Sequence, residues 1–544
     1  MRRGGLVLAL AWLAAGSAAA AVARIGTADY DSLEAAFAAA GDGATIELVA
    51  DAVLAVPVAV QRSVVLTDDE AAVRHVRAGT DATFATDGWF TVSDGADFSL
   101  AGTGTATLVF DGGGDGTLPA EYVPADLPPQ MVRVERGGAF RLEDGAVMRG
   151  HLGFYGPVKV ENEGTFEMAG GSIEGNCATY IGGGVANFGT FRMTGGAIRG
   201  NRVCHDGNFF NTADYGGIGG GVCNAGTFEM AGGSIASNLA TCTNFSDGVY
   251  ILGYGGKNGH GGGVANFGAF SMTGGSIEGN RSEGDNHRVA GCGGGIVHFG
   301  GTARLAGGEL AGNEATDSGG GAYVSEGTFE LAGASVSSNR AARFGGGVEN
   351  FGDLRLTGGW VGGNTAETAG SDVDHAGSGL SMEGDIRLGS AIALAADASP
   401  VVLSGVLTRP GETYGLEPET WAEGAMVLTN AAAFPAVARY RGKFTLAEAG
   451  WYIDDGGCLC RDDPGAPEVP EEELRVLAFG ADDPDGTVRL AVDPVVLEYD
   501  FRVETTDNLK TDWTEAEGAR AMLDGTIEVP DGMADGARFY RLGF

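Results

Sequence analysis

Apolar and polar residues alternate along short stretches in the middle of the chain. In the stretch Thr165–Met168, which reads Thr-Phe-Glu-Met, the second and fourth residues are apolar and the others are polar. A period of two is typical of a short strand with one buried face, whereas an amphipathic helix has a period of about 3.6. None of these stretches has the length or the pattern of such a helix. The pattern therefore predicts an all-β region.

The alternating stretches belong to a repeat. One unit begins at Gly164 with Gly-Thr-Phe-Glu-Met-Ala-Gly-Gly-Ser-Ile-Glu-Gly-Asn and continues, after 5 residues, with Gly-Gly-Gly-Val-Ala-Asn-Phe. Further units begin at Gly189, Gly226, Gly268, Gly301, Gly327 and Gly352, with a weaker one at Gly138. The base spacing is 25 residues, and longer spacings reflect insertions. Short strands separated by Gly-rich turns at this period predict a single-stranded parallel β-helix, a solenoid with one rung per unit.

Equivalent positions of the units form apolar rows. If rungs stack about 4.8 Å apart, these positions become neighbours in ladders. The three rows are Phe166, Phe191, Phe228, Phe270, Ala303, Phe329 and Leu354; Met168, Met193, Met230, Met272, Leu305, Leu331 and Leu356; and Ile173, Ile198, Ile235, Ile277, Leu310, Val336 and Val361. An outward row between the first two reads Glu167, Arg192, Glu229, Ser271, Arg304, Glu330 and Arg355. Because no adjacent units share a sign there, the charges support a register of one unit per rung.

Each unit closes with Asn, and a Gly triplet follows farther on. The Asn positions are Asn176, Asn201, Asn238, Asn280, Asn313, Asn339 and Asn364. A row of ligand contacts is one interpretation. We favour a structural one, because Asn tolerates left-handed backbone angles in a turn and stacked amides can bond along the row. The Gly triplets predict a tight corner and not a phosphate loop, since no Lys-Ser/Thr follows and no helix begins there.

Two of these motifs resemble those of a known family. Gly-Gly-Gly-Val-Ala-Asn at residues 182–187 and Ile-Glu-Gly-Asn at residues 173–176 are similar to the Gly-Gly-Ala-Ile and Phe-x-x-Asn repeats of chlamydial polymorphic outer membrane proteins and related bacterial β-helix surface proteins. The resemblance covers roughly residues 138–384, with Ile, Leu or Val in place of Phe. It implies a right-handed β-helix of the pectin lyase-like superfold and an exported, adhesin-like stalk. It implies no catalytic residue.

The start of the chain predicts export. Residues 1–23 combine two Arg, an apolar stretch of about ten residues and several small-residue cleavage sites, which is typical of a signal peptide. That stretch is well short of the roughly 20 residues that span a bilayer, and no later segment is long and uniform enough. We therefore expect a bacterial protein that is secreted or associated with the cell surface or outer membrane, with no spanning segment after signal removal.

The regions outside the repeat have their own composition. The parts predicted are a signal peptide (1–23), an N-terminal cap with the first rungs (24–137), the repeat β-helix (138–384), closing rungs with a cap (385–460), a linker (461–473) and a small C-terminal β domain (474–544). In the N-terminal part, we expect a helix over residues 32–40 and strands over residues 44–49, 52–60 and 63–67. The linker is acidic and contains 3 Pro.

Composition narrows the choice of partners. The chain has 34 Lys plus Arg and 72 Asp plus Glu, a net charge of -38. A polyanion as dense as nucleic acid would be repelled, so we expect no nucleic-acid partner. The 7 Cys residues are an odd number, and their spacing resembles no zinc site. We hypothesise a disulfide between Cys204 and Cys242. The segment from Asp372 to His375 has metal-binding residue types but is predicted to be a solvated turn.

Insertions concentrate polar chemistry on one corner. Between the closing Asn and the Gly triplet, successive units carry 5, 17, 22, 12, 5 and 5 residues, so three long loops leave the same corner of consecutive rungs. Insertions on one face of a solenoid often mark its working surface. The candidate binding residues are His205, Asp206, Tyr215, Asn244, Asp247, Tyr250, Tyr254, Lys257, His260, Asp285, His287 and Arg288.

Three interpretations of this corner stay open. Aromatic faces beside Asp and Asn suit a glycan or a protein partner, which is the interpretation we favour. An enzyme of the polysaccharide lyase or glycoside hydrolase kind would use Asp206, Asp247 and Asp285 as calcium ligands or acids, with Lys257 as a base. A purely structural stalk would merely tolerate the loops. No spacing within the loops matches a known catalytic signature, so no cofactor is predicted, although calcium would suit the enzyme.

Overall fold

Strands stack in parallel, rung upon rung, along most of the chain. The computed structural model describes residues 20–79, 88–104, 108–115, 129–205, 217–242, 259–284, 291–409, 411–431 and 437–465, together with short strands between residues 478 and 543. Strands of successive units pair in parallel with equivalent residues side by side. The predicted all-β solenoid with one unit per rung is confirmed. Rungs of the repeat region pass through three sheets.

Sheet 1 carries two strands of most rungs, and in the described part of the chain it has 25 strands. The first row of strands is Ala44–Leu48, Val64–Asp68, Asp97–Leu100, Ala139–Leu142, Thr165–Met168, Thr190–Met193, Thr227–Met230, Ala269–Met272 and Thr302–Leu305. The second row is Ala52–Leu54, Arg74–Ala78, Leu108–Asp111, Ala146–Arg149, Ser172–Glu174, Ala197–Arg199, Ser234–Ala236, Ser276–Glu278 and Glu309–Ala311. Longer strands then join both rows: Thr328–Ser337, Asp353–Gly362, Gly379–Leu388 and Val401–Leu407. Leu428–Asn430 ends the sheet, and Ala23–Ile25 with Ala28–Tyr30 begins it in antiparallel pairing.

Sheet 2 has 14 strands among the described residues, and sheet 3 has 8, which lie in the repeat region. Sheet 2 contains Val58–Val60, Phe90–Val92, Val132–Val134, Val158–Val160, Val185–Asn187, Val222–Asn224, Val264–Asn266, Ile296–His298, Ala322–Val324, Val348–Asn350, Val373–His375, Ile392–Leu394, Tyr414–Pro418 and Phe444–Leu446. Sheet 3 contains Leu152–Tyr155, Cys177–Ile181, Arg202–His205, Leu239–Cys242, Arg281–Glu283, Glu314–Ala315, Arg340–Ala341 and Thr365–Ala366.

The core lies between sheets 1 and 2 and is built from the predicted rows. Phe166, Phe191 and Phe228 are fully buried, with stacked rings 4.7 and 4.6 Å apart from one to the next. The Met and Ile rows are likewise buried along their whole length. Burying each such side chain stabilises the fold by roughly 1.5–3 kcal/mol. Outside, Arg192 pairs with Glu167 at 3.9 Å and with Glu229 at 2.9 Å, as the alternating charges predicted.

The closing Asn residues form a buried ladder of amides. The Nδ2 of Asn201 donates to the Oδ1 of Asn238 at 3.0 Å, and the same bond recurs between successive Asn residues from Asn176 to Asn364. The structural interpretation is therefore confirmed. Its backbone account is wrong, because none of these Asn has a positive φ. The left-handed position is the residue before each one: Gly175, Gly200, Ser237, Gly279, Gly312, Ser338 and Gly363.

A second polar ladder follows the ends of the sheet 2 strands. Asn187 donates to Asn224 at 2.7 Å, and Asn224 donates to Asn266 at the same distance. The Nδ2 of Asn266 then lies 2.9 Å from the Nδ1 of His298. Burial lowers the pKa of His298 to about 4, so its ring is neutral and accepts this bond at neutral pH. The sequence signal for this ladder is the Asn that ends each Val-Ala-Asn or Val-Cys-Asn triplet.

The Gly triplets make a tight corner between sheets 3 and 2, as predicted. The first Gly of each triplet, for example Gly182 at φ +61°, has a left-handed backbone. A Cβ atom at Gly183 would lie 2.3 Å from the carbonyl oxygen of Gly220, so only Gly fits the stacked corner. Triplets of adjacent rungs bond through their backbones, as from the N–H of Gly183 to the carbonyl of Gly219 at 3.0 Å.

Both ends of the stacked rungs are covered. At the N-terminal end, the helix Leu33–Ala39 begins at Ser32, whose Oγ accepts from the Ala35 N–H, and Phe37 packs 5.4 Å from Phe90. The strand predicted over residues 52–60 is two strands, because the chain turns at residues 55–57 and the N–H of Ala55 bonds to Glu34 instead. At the other end lie the 3₁₀ turns Val437–Arg439 and Arg441–Lys443 and the hairpin of Tyr452–Ile453 with Leu459–Cys460.

Beyond residue 465 the described strands pair in antiparallel fashion. One sheet contains Ala478–Phe479, Val488–Ala491, Thr526–Val529 and Arg520–Ala521, and another contains Thr514–Glu515, Arg502–Thr506 and Phe539–Gly543. The pairing of strands in this region therefore differs from that in the solenoid. The presence of strands agrees with the β character predicted there. Residues 466–473 of the predicted linker lie outside the described residues.

Candidate functional site

The three long loops start from adjacent strands of sheet 3. Arg202 is paired with Leu239, and Leu239 with Arg281, in parallel register. The loops also return side by side, since the N–H of Gly259 donates to the carbonyl of Gly217 and the N–H of Gly261 to that of Cys292. We call these roots, residues 202–205, 239–242 and 281–284 with 217–218, 259–260 and 291–292, the loop corner. Its position on consecutive rungs is the one that the repeat predicted.

Most of the predicted site residues lie outside the described residues. They are Asp206, Tyr215, Asn244, Asp247, Tyr250, Tyr254, Lys257, Asp285, His287 and Arg288. His205 is the last residue of its strand, and its side chain lies outside the described part of the chain. The binding role of these residues, and the alternative catalytic role of Asp206, Asp247, Asp285 and Lys257 with calcium, therefore stay predictions.

His260 belongs to the interior of the corner and not to its surface. Its side chain is 6% exposed, and its Nδ1 accepts the N–H of Cys292 at 3.0 Å. The ring lies edge-on to Phe299, with 5.9 Å between ring centroids. A ring held in this way fixes the ends of the second and third loops together. The predicted ligand contact of His260 stays a prediction, which this burial does not favour.

An apolar floor supports the loop corner. The outward side chains of sheet 2, which alternate with the core residues of the same strands, form a second buried cluster with the returning chain. The cluster consists of Ile181, Ala186, Ile218, Cys223, Ala265, Val297 and Phe299. Because it is separate from the main core, the corner has its own packed base. Loops rooted on such a base are held at fixed relative positions at their ends.

An aromatic surface borders the loop corner on its N-terminal side. It consists of Phe154, Tyr155, Tyr180 and Phe188, all partly exposed. The rings of Phe154 and Tyr180 stack at 4.7 Å, and Tyr155 stands edge-on to Phe188 at 6.3 Å. The carbonyl of Tyr180 accepts the N–H of Gly217, so this surface meets the returning end of the first loop directly. Sequence reasoning missed it, because Phe154 and Tyr155 precede the first clear repeat unit.

A lysine lies over this aromatic surface. The Lys159 Nζ is 4.5 Å from the ring centroid of Tyr155 and 2.9 Å from Glu161. Burial and the nearby Tyr180 raise the pKa of Tyr155, so its phenol keeps its proton and can donate a hydrogen bond. Flat rings, a cation and hydroxyl groups together suit a ligand with both apolar faces and polar edges.

Polar residues border the corner on its C-terminal side. The Oγ1 of Thr316 accepts the N–H of Gly284, the last described residue before the third loop, at 3.0 Å. One residue farther on, Asp317 pairs with Arg343 at 3.5 Å, and Arg343 covers the ring of Phe344. The corner is therefore flanked by aromatic residues on one side and by an exposed ion pair on the other.

Two carboxyl groups are buried on sheet 2 beyond this border. Glu349 and Asp374 are neighbours in register and are 1% and 6% exposed. Burial, and then the adjacent Asp374, raise the pKa of Glu349 to about 10, so the pair shares a proton at neutral pH. The prediction of a solvated turn from Asp372 to His375 is wrong, since Val373–His375 is a buried strand. Within the described ranges, no group of three or more His, Cys, Asp or Glu side chains could hold a metal ion.

The hypothesised disulfide between Cys204 and Cys242 is wrong. Cys204 pairs in register with Thr241, and Cys242 pairs with His205. Because consecutive residues of a strand face opposite sides of the sheet, positions 204 and 242 lie on opposite faces of sheet 3. Cys204 is a free, buried thiol, and it bonds to the thiol of Cys177 on the preceding rung. That bond and burial raise the pKa of Cys177, so its thiol is neutral.

No protein-family profile, curated protein or solved structure matches the chain. The resemblance to chlamydial surface proteins therefore rests on the two repeat motifs. Among the residues that the structure describes, no helix has the length and apolar character to cross a membrane.

Proposed function

We propose that the protein is an exported bacterial surface or extracellular protein that binds a glycan through its loop corner. The observation that carries the proposal is the rooting of three long loops on adjacent rungs, beside the aromatic surface. The three connections between the closing Asn and the Gly triplet have 17, 22 and 12 residues, whereas those of the neighbouring rungs have 5. Loops aligned on a packed base can present several contacts to one extended ligand.

A glycan fits this corner better than a protein partner does. The apolar faces of pyranose rings stack on aromatic rings, and Tyr155 and Tyr180 offer such rings beside the first loop. Sugar hydroxyl groups can bond to Asp, Asn and His residues, which the loop sequences supply in number. The right-handed coil and the adhesin-like role implied by the chlamydial resemblance belong to the same proposal.

Loop replacement tests the proposal. Each loop would be replaced by a connection of five residues, the length that Cys177–Ile181 has on the preceding rung, and binding to an array of bacterial and host glycans would be measured. We expect loss of binding with unchanged thermal unfolding. Selective binding of proteins, or retention of every glycan by the triple replacement, would contradict a glycan-binding corner. Release of shortened glycan products would favour the lyase or hydrolase alternative.

The aromatic surface provides a second, smaller change. Replacing both Tyr155 and Tyr180 by Ala should weaken glycan binding about tenfold, since stacking on each ring is worth roughly 0.5–1.5 kcal/mol beyond burial. Phe351→Ala is the matched control, because Phe351 is an exposed aromatic residue beyond the loop rungs. Equal losses in the control and the double variant would remove the aromatic surface from the site.

A further inference from the structure

A groove follows the solenoid axis on a side that the loop corner does not use. It has a volume of about 900 Å³ and lies along the turn between sheet 1 and sheet 3. Its wall is formed by residues at the ends of successive sheet 1 strands, and its floor includes the left-handed turn residues Gly150, Gly175, Gly200 and Ser237. We call it the arginine groove after Arg77, Arg149 and Arg199, which line it.

Charges alternate along the wall of the arginine groove. Asp111 pairs with Arg77 and with Arg149, each at 3.4 Å, and Glu174 pairs with Arg199 at 2.6 Å. The register places these five residues on five successive rungs. Since rungs are about 4.8 Å apart, an arginine recurs at about 10 Å.

The cations stand higher in the groove than the anions. The side chains of Arg149 and Arg199 are 46% and 59% exposed, whereas those of Asp111 and Glu174 are 14% and 26% exposed. An arginine has five N–H donors. The ion pairs with Asp111 and Glu174 use at most two of them on Arg149 and on Arg199. The remaining donors are available to a ligand lying above the wall, in a protein whose net charge is -38.

The floor allows close approach. Gly175 and Gly200 have φ near +60°, and no atom lies within 4 Å of the position that a Cβ would take at either residue. Ser237 continues this line on the next rung with φ +55°. At Gly175 and Gly200 the floor is therefore bare backbone, whereas Asp115 and Ser237 add side chains elsewhere along the groove.

We propose that the arginine groove binds a linear polysaccharide that carries one anionic group on every second sugar. A disaccharide of an extended glycan is about as long as two rungs, so its carboxylate or sulfate groups meet successive arginines. Guanidinium groups bind such anions in bidentate fashion. The intervening sugar then places hydroxyl groups against Asp111 and Glu174, which accept hydrogen bonds from them. An anion on every sugar would face these carboxylates and be repelled.

Titration of the mature chain with three glycans tests this specificity. The probes are hyaluronan, with one carboxylate per disaccharide; polygalacturonate, with one per sugar; and a neutral β-glucan. We expect hyaluronan to bind, with an affinity that falls as salt rises, and the other two to bind at least about tenfold more weakly. Equal binding of polygalacturonate, or tighter binding of single-stranded DNA, would overturn the proposal.

Paired variants separate the groove from the loop corner. Arg149→Gln with Arg199→Gln should weaken hyaluronan binding about tenfold or more, because charge-assisted hydrogen bonds are lost. Arg192→Gln with Arg304→Gln is the matched control, because it also breaks exposed ion pairs in an alternating row of sheet 1. Loop replacement should leave hyaluronan binding intact. If instead the loop replacements abolish it and the groove variants do not, the groove proposal fails and the loop corner stands.

Neutralising one carboxylate of the wall provides an independent test. Glu174→Gln removes the carboxylate between Arg149 and Arg199 and should raise the affinity for polygalacturonate relative to hyaluronan. An unchanged ratio of the two affinities would show that the alternation does not select the ligand, and it would overturn the proposal.

Discussion

Two rows of side chains follow the solenoid on opposite faces of its walls, and they differ in how constant they are. The inner row through Phe166, Phe191 and Phe228 stays apolar on every repeat rung. The outer row of sheet 2 reads Ala186, Cys223, Ala265, Val297, Tyr323, Glu349 and Asp374 in register. It is apolar beneath the loop corner and acidic beyond it.

The difference follows from what covers each row. Inner residues are enclosed by neighbouring rungs and by both sheets, so a change of size or polarity there leaves a cavity or an unpaired polar group. Outer residues of sheet 2 lie against the turn that precedes their strand, as Gly345 lies against Glu349 and Gly370 against Asp374. This position admits two carboxyl groups, provided that they share a proton. The inner row therefore contributes most to the free energy of unfolding, whereas the outer row makes that free energy depend on pH.

The largest expected effect comes from the inner row. Phe228→Ala should lower the free energy of unfolding by about 3–5 kcal/mol, because it leaves a cavity between two stacked rings. Urea unfolding followed by fluorescence would measure the change, with the exposed Phe351→Ala as control. Similar losses for both variants would show that the ring stack is not the source of stability.

The Asn ladder should give the next largest effect. Asn238→Ala removes the acceptor of two bonds from Asn201 and the donor of a bond to Asn280. Buried groups left unpaired cost about 1–3 kcal/mol each, so we expect a loss of about 2–4 kcal/mol in the same unfolding assay. Asn238→Asp keeps the acceptor and should retain part of the stability at low pH, where the carboxyl is protonated. A loss no greater than that of surface variants would contradict the ladder's role.

The outer row should make stability depend on pH. The pKa of Glu349 is about 10 in the folded chain, against about 4.3 when unfolded. The folded state therefore holds a proton that the unfolded state releases, and stability falls as pH rises between these values, by up to about 1.4 kcal/mol per pH unit. Glu349→Gln should flatten this decline. The measurement is the midpoint of unfolding as a function of pH. Exposed Glu417, three rungs beyond Glu349 along the same row, provides the control Glu417→Gln.

The buried histidines that end two of the sheet 2 strands should act in the opposite direction. Burial lowers the pKa of His298 and of His375 to about 4, from about 6.5 in the unfolded chain. Between these values the two imidazole rings bind protons in the unfolded state but not in the folded state. Stability therefore falls as pH drops from about 6.5 to 4. Because the contribution of Glu349 acts from about pH 4.3 upward, the two effects overlap, and Glu349→Gln should make the acid loss steeper between about pH 4.3 and 6.5. An unchanged slope in that range would show that Glu349 does not hold a proton there.

The smallest effect is expected from the exposed charge row. Arg192→Ala breaks pairs with Glu167 and Glu229 that are about half exposed, so the loss should stay within about 1 kcal/mol. The difference from the parent chain should shrink further at high salt. A loss approaching that of Phe228→Ala would contradict the distinction between interior and surface rows.

The fold was predictable from the sequence because each rung repeats the same local choices. Phe166 and its equivalents each lie 10 residues before the closing Asn of the same unit, so one correct register placed both rows. One error concerned the turn that closes every unit. The left-handed turn position is Gly175 rather than Asn176, because the amide of Asn176 is committed to the ladder.

The candidate site was predictable only as a location. Unequal spacing of Asn and Gly triplets indicated the corner, and strand register confirmed that its roots are adjacent. The burial of His260 and of Asp374 could not be read from local sequence, since both are polar residues beside Gly-rich turns. What covers them is another rung or turn, and such contacts are known only once the coil is built. The aromatic surface was missed for the same reason, because Tyr155 and Tyr180 become neighbours only through stacking.

The amide ladder has a direction. In each bond between two amides, the Nδ2 donates toward the C-terminal rung. The series therefore begins where the Oδ1 of Asn176 accepts a backbone N–H from His151 and ends where Asn364 donates to Asp372. A carboxylate suits that last place, because it has only to accept. A coil with such a head and tail can gain or lose whole turns between them without disturbing either terminus. Length is thus a property that duplication or deletion of internal units can adjust freely, while the two end pieces stay as they are.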